Sequence, residues 1–89
     1  MIIKVLGPGC ARCHQLEKTT TEVVRELAID AVVEEVKDLR EIMKYPIIST
    51  PGLVINVELV MSGKIPDKAR ITQLITSALE KEWKQTGKA

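Results

Sequence analysis

Apolar residues change their spacing repeatedly along this chain, and each change marks the border of an element. Ile2-Ile3-Lys4-Val5-Leu6 is a short, nearly continuous apolar run, the pattern of a strand buried within a sheet. From about Ala11 to Ala28 the spacing becomes helical. Leu16, Thr20, Val23, Val24 and Leu27 share one face, and Glu17, Lys18, Glu22, Arg25 and Glu26 fill the solvated one. Ala31 to Val36 is β-branched and strand-like, although Glu34 and Glu35 blur its alternation. Asp38 can cap a short helix through Lys44, which Pro46 then stops. Two further strands, Leu53 to Asn56 and Leu59 to Ser62, lie close enough to form a hairpin. Asp67 caps a last helix with Ile71, Leu74, Ile75, Ala78 and Leu79 facing inward. Its polar end, from about residue 84 to Ala89 and including Gly87, is expected to fray.

The order strand, helix, strand, helix, strand, strand, helix fits one α/β domain over residues 1–89. No repeat or low-complexity linker divides it. One local misfit is informative. Tight hairpins favour Asn-Gly, because a type I′ turn needs positive φ at both central residues. Here Val57 follows Asn56, and a β-branched side chain resists that conformation. A different or longer loop is expected, with Val57 extended.

Composition narrows the function. Tyr45 and Trp83 are the only aromatics, so no aromatic platform exists for stacking bases. Formal charge is +1 with acids and bases interspersed, unlike a nucleic-acid or anionic-membrane surface. The chain opens on a strand and not on a basic segment followed by a long apolar stretch, so no secretory signal is expected. The apolar runs are too short to span a bilayer. A reducing cytoplasm is the expected location. In that setting a pair of cysteines is catalytic or metal-binding more often than structural.

Those cysteines are placed to do chemistry. Gly7-Pro8-Gly9 breaks the first strand, and Cys10-Ala11-Arg12-Cys13 follows at the start of the first helix. Two thiols one helical turn apart can close a small disulfide ring. They also sit beside backbone N–H groups that lack helical partners, at the positive end of the helix dipole. That field favours the thiolate, the species that attacks disulfides. Thiol redox chemistry is the leading reading. Arg12, between the cysteines, either approaches Cys10 and favours its ionised form or is simply exposed.

Other classes compete for the same residues. Cys10 to His14 spells a c-type haem attachment sequence, but an aromatic-rich pocket and an export signal are lacking. His14 then reads as an exposed helix residue or as a group that tunes the thiols. Two thiolates can also carry Cu(I) or Zn(II). A redox-inert binding domain is the third alternative, and the intact CxxC argues against it.

Three segments together carry a resemblance: Gly9-Cys10-Ala11-Arg12-Cys13, Thr50-Pro51 ahead of a strand about 40 residues later, and Ser62-Gly63-Lys64 after the hairpin. With the element order βαβαββα, the chain resembles the thioredoxin/glutaredoxin superfamily in its minimal form. Within it, the chain is similar to small thioredoxin-like redox-active disulfide proteins. The resemblance implies a four-stranded mixed sheet flanked by helices and a thiol–disulfide oxidoreductase needing no cofactor. Cys10 would be the attacking nucleophile and Cys13 the resolving thiol. Gly9, Ala11 and Arg12 would support the turn. Thr50 would pair its backbone with an extended substrate, ahead of a cis Pro51 lying against the disulfide.

Disulfide-containing proteins and a separate reductase would be the partners of a monomer, with no nucleic acid or membrane. The chain also departs from the family. Gly9 stands where full thioredoxins carry Trp. Lys4 stands where they carry a buried acid that helps deprotonate the resolving thiol. It either points at the thiols or lays its stem on the sheet with its head in water. The glycine-and-acid signature that holds glutathione in glutaredoxins is missing from Ser62-Gly63-Lys64-Ile65-Pro66-Asp67.

Overall fold

The computed structural model describes residues 1–9 and 11–86. Strand β1 (Ile2–Leu6) leads through the glycine turn into helix α1 (Ala11–Leu27), then β2 (Val32–Val36) and the short α2 (Leu39–Ile42). Strands β3 (Gly52–Ile55) and β4 (Glu58–Ser62) form the hairpin, and α3 (Lys68–Thr86) ends the described chain. The mixed sheet has the order β2-β1-β3-β4. β1 pairs in parallel with β2 and antiparallel with β3, and β3 runs antiparallel to β4. The α/β class, the element order and the four-stranded sheet are those read from the sequence.

The two faces of the sheet are covered unequally. Ile3 and Val5 of β1 lie on the same face as Leu53 and Ile55 of β3. There they meet Leu16 and Val23 of α1 and Ile71 and Ile75 of α3 in the main core. The opposite face, with Leu6 and Val54, packs on Ile42 of α2. β3 is therefore buried on both sides, which is why Leu53-Val54-Ile55 reads as unbroken apolar sequence. Thr20 faces the core among the apolar positions of α1. Its hydroxyl donates to the Leu16 carbonyl at 2.7 Å, so no polar group there is left unsatisfied.

Capping explains most element borders. Asp38 accepts from Arg40 N at 2.9 Å, and Asp67 accepts from Arg70 N at 2.8 Å. α2 stops at Ile42, two residues earlier than Lys44. Its last carbonyls are taken up by single turns, with Lys44 N donating to Glu41 and Tyr45 N to Ile42. α3 instead continues to Thr86, past the point where fraying was expected. The run from Glu80 to Thr86 holds good helix formers and no glycine. Residues 87–89 lie outside the described residues. Lys68 of α3 pairs with Glu26 of α1, and that hydrogen bond raises the lysine pKa above its ordinary value.

The hairpin loop corrects one expectation in part. Ile55 pairs with Glu58, so only Asn56 and Val57 connect the strands and the loop is not longer. Asn56 alone of the two takes positive φ, at 61°, and the turn is therefore not type I′. Asparagine tolerates the left-handed region, so Val57 escapes the conformation it resists. A register shift between Leu53 and Val54 takes up the remaining mismatch. Asn56 also donates its N–H to Ile2 O at 2.7 Å and accepts from Ile2 N at 3.3 Å, extending the pairing of β1 and β3.

α1 ends on the other non-glycine with positive φ, Ala28 at 52°. Ile29 N donates to Val24 O and Ala28 N to Arg25 O, a Schellman arrangement in which glycine is the usual residue. Ala28 is exposed, so its methyl group adds backbone strain without packing in return. Ala28→Gly is therefore expected to stabilise the fold by about 1 kcal/mol, read as a higher urea midpoint at unchanged slope.

Candidate functional site

The end of β1 and the start of α1 are locked by glycine. Gly7 N donates to Val36 O at 2.9 Å, continuing the parallel pairing one residue beyond the strand. A Cβ on Gly7 would lie 2.2 Å from Cys13 Sγ, so the cysteine sits against bare backbone. Cys13 is fully buried, at 0% exposure, in the first turn of α1. Gly9 takes φ of +93°, which only glycine adopts without strain. Cys10 follows it and lies outside the described residues. Ala11, exposed, is the first residue of α1. No acidic residue lies in the first helical turn, so no side-chain carboxylate there offsets the positive end of the dipole.

Arg12 has a structural partner across the site. Its Nη2 donates to the carbonyl of Gly63 at 3.4 Å, across to the loop after β4. Gly63 N in turn donates to the carbonyl of Pro51 at 2.8 Å. One residue thus joins the CxxC turn to the Thr50-Pro51 loop. The Thr50–Pro51 peptide is cis, Pro51 is buried and Thr50 is half-buried. Ser62 straps the same loop from below. Its Oγ accepts from Ile48 N at 3.1 Å and Ser49 N at 3.3 Å, and donates to Ser49 O at 3.1 Å. Gly63 has φ of +76°, and a Cβ on it would meet Ser49 Oγ at 2.0 Å. Ile48 projects from this loop at 93% exposure, two residues before Thr50.

Lys4 does not form the buried acid–thiol arrangement of full thioredoxins. It shares a sheet face with Val54 and Leu6, and its Nζ donates to Tyr45 Oη at 3.5 Å. The carboxylate beside the motif comes instead from Glu35 of β2, whose side chain is only 11% exposed. Glu35 Oε1 pairs with Lys37 Nζ at 3.2 Å, and Oε2 lies 3.4 Å from His14 Nδ1. That pairing is ionic only when His14 carries a proton. His14 is thus neither simply exposed nor distant from other charges. Glu17 completes a group whose donor atoms lie within 4.8 Å of one another. This His and carboxylate set is harder than a thiolate pair. The Lys37 ammonium already holds one Glu35 oxygen, and the cluster reads first as a charge network.

Sequence reasoning missed Gly7, Glu35, Lys37 and the strap made by Ser62. Two signals were present. Gly7 opened the turn, and the phase of β2 sets Glu35 on the same side as Val33. A separate cleft, lined by Ile55, Val57, Leu59, Leu74, Ala78 and Lys81, lies at the hairpin end of the sheet. Asn56 pairs with Ile2, at the start of β1, which puts this cleft at the end opposite the motif.

The sequence profile of the thioredoxin domain family matches residues 1–76. The chain belongs to the thioredoxin family. It is 37% identical over 76 residues to a thioredoxin of Methanothermobacter thermautotrophicus, covering 85% of this chain and 99% of that one. A thioredoxin of Methanocaldococcus jannaschii is 35% identical over 80 residues, with 90% and 92% covered. Among solved structures, the germline-specific thioredoxin Deadhead (Thioredoxin-1) of Drosophila melanogaster superposes with a TM-score of 0.60. That match has 20% identity and covers 85% of this chain and 78% of that one, a likeness of fold. The thioredoxin relatives support a thioredoxin-like redox function and, in general terms, an oxidoreductase activity.

Gly7 provides a stability test of the site. Gly7→Ala must displace Cys13 or the strand end, and is expected to cost about 1–3 kcal/mol in urea unfolding of the reduced protein. Gly7→Ala unfolding at the wild-type midpoint would show that Cys13 is not seated against Gly7.

Proposed function

We propose that this protein is a thiol–disulfide oxidoreductase that cycles Cys10 and Cys13 between dithiol and disulfide on protein substrates. The observation that carries the reading is the convergence on Gly63. There the Arg12 side chain from the CxxC turn and the carbonyl of Pro51 meet one residue. This brings the helix start that carries the thiols beside a loop whose preceding residues, Ile48 and Ser49, are exposed. An extended substrate segment laid along that loop would present its disulfide to the motif.

The chemistry follows from the different settings of the thiols. The Cys10 thiolate attacks one sulfur of the substrate disulfide, and the other substrate sulfur leaves as a thiolate. Cys13, deprotonated in turn, attacks Cys10 Sγ and expels the second substrate thiolate. The substrate gains two electrons, and the Cys10–Cys13 disulfide holds the oxidation until an external dithiol reductase removes it. Burial of Cys13 suits the resolving role, because an intramolecular thiol need not be reached from solvent. Disulfide-containing proteins, a separate reductase, a monomeric state and a reducing cytoplasmic setting belong to the same proposal.

The test is insulin reduction with dithiothreitol as electron source. Cys10→Ser is expected to abolish turnover. Cys13→Ser is expected to accumulate a mixed disulfide with substrate, visible on a non-reducing gel. Turnover surviving in Cys10→Ser, or Cys13 alkylating faster than Cys10 at neutral pH, would defeat the assignment.

A further inference from the structure

We propose that His14, Glu17 and Glu35 form a binding site for one zinc ion, separate from the cysteine pair. The donor atoms of these three side chains all lie within 4.8 Å of one another, and Cys13 is not a member of the group. The site needs nothing from the thiol chemistry proposed above.

Two elements build it. His14 and Glu17 stand three residues apart on α1, so both side chains leave the same face of the helix. A histidine and a carboxylate at that spacing are a recurrent way for one helix to offer two ligands to a metal ion. Glu35 comes from β2, on a backbone fixed by parallel pairing with Val5. Its state is what separates the group from an ordinary set of surface charges. The side chain is 11% exposed, and its Oε2 is buried and accepts no hydrogen bond among the described residues. A carboxylate oxygen shielded from water in this way is costly until a cation or a donor meets it.

The distances fit an ion. Oε2 lies 3.4 Å from His14 Nδ1, beyond the usual length of an N–H···O hydrogen bond. Two donors on one tetrahedral zinc, each bonded at about 2.0–2.2 Å, stand roughly 3.4 Å apart. Glu17, half-buried on the same side, supplies the third oxygen. Lys37 supports this arrangement without filling it. Its Nζ pairs with Oε1 at 3.2 Å, which orients the carboxylate and leaves Oε2 for the metal. An imidazole nitrogen with two carboxylate oxygens suits zinc, whereas magnesium and calcium favour oxygen ligands throughout. Water would take the remaining position. Bound there, zinc would tie the first two turns of α1 to β2 and stabilise the folded chain by mass action.

The test is calorimetric titration of zinc chloride into the untagged full chain carrying Cys10→Ser and Cys13→Ser, which removes the affinity of the thiols for zinc. The oxidised wild-type chain, titrated in parallel, guards against damage from the serines. One zinc per chain is expected in both, with no binding of magnesium at the same concentration. In the serine chain, His14→Ala, Glu17→Gln and Glu35→Gln should each weaken zinc binding by at least about tenfold. Zinc should also raise the thermal midpoint of the serine chain, and not that of its Glu35→Gln variant. No zinc bound by either chain, or magnesium bound as tightly, would overturn the site. Affinity unchanged in His14→Ala or in Glu35→Gln would overturn it equally. None of these readouts involves disulfide exchange, so their failure is distinguishable from turnover surviving in Cys10→Ser.

Discussion

The motif end of the molecule depends on one close approach, that of Cys13 Sγ to the bare backbone of Gly7. Strand and helix can meet there only because no side chain intervenes. The same glycine carries the last parallel hydrogen bond, to Val36, so the end of the sheet and the seat of the buried thiol are one place. β1 lies centrally, between β2 and β3, and its alternate side chains enter both cores. A change at Gly7 is therefore felt by the sheet and by the thiol together. Side chains at such a junction are constrained by packing density more than by hydrophobicity.

The second constraint is long-range. Gly63 stands 51 residues from Arg12 and accepts a hydrogen bond from it, and Gly63 also donates its N–H to the Pro51 carbonyl. Its positive φ favours glycine here, and a Cβ added to it would meet Ser49 Oγ at 2.0 Å. The Ser62 hydroxyl meets three backbone groups of the preceding loop and ties that loop to the end of β4. A loop fixed in this way can present exposed residues, Ile48 among them, at little further entropic cost when a partner orders against it.

What was legible in the sequence follows the range of the forces involved. α1 and α3 announced themselves because Leu16, Val23, Ile71 and Ile75 must all reach one core, and helical spacing is the only way they can. β3 was legible because burial on both faces leaves no polar position. Glu35 was obscured because charged residues usually mark solvent, and here one points into a shielded corner beside His14 and Lys37. The hairpin was half legible. Val57 did rule out the paired left-handed turn, but no local signal showed that Asn56 alone could close two residues with help from a register shift upstream. The partner of Arg12 was invisible, since nothing local to the motif specifies a carbonyl brought in by the far end of the sheet.

The charge at the site is spread over two strands and both faces of the sheet. A carboxylate beneath the resolving thiol can accept its proton, but its negative charge also opposes ionisation of the nucleophile nearby. In this chain the strand position facing that role holds Lys4, turned to the α2 face and bonded to Tyr45. The carboxylate enters from β2 instead, on the α1 face, with its Oε2 buried and, among the described residues, without a hydrogen-bond partner. Its other oxygen is covered by the Lys37 ammonium, which offsets the negative field on the side toward Gly9. With no acid in the first turn of α1, no side-chain carboxylate there offsets the positive end of the helix dipole.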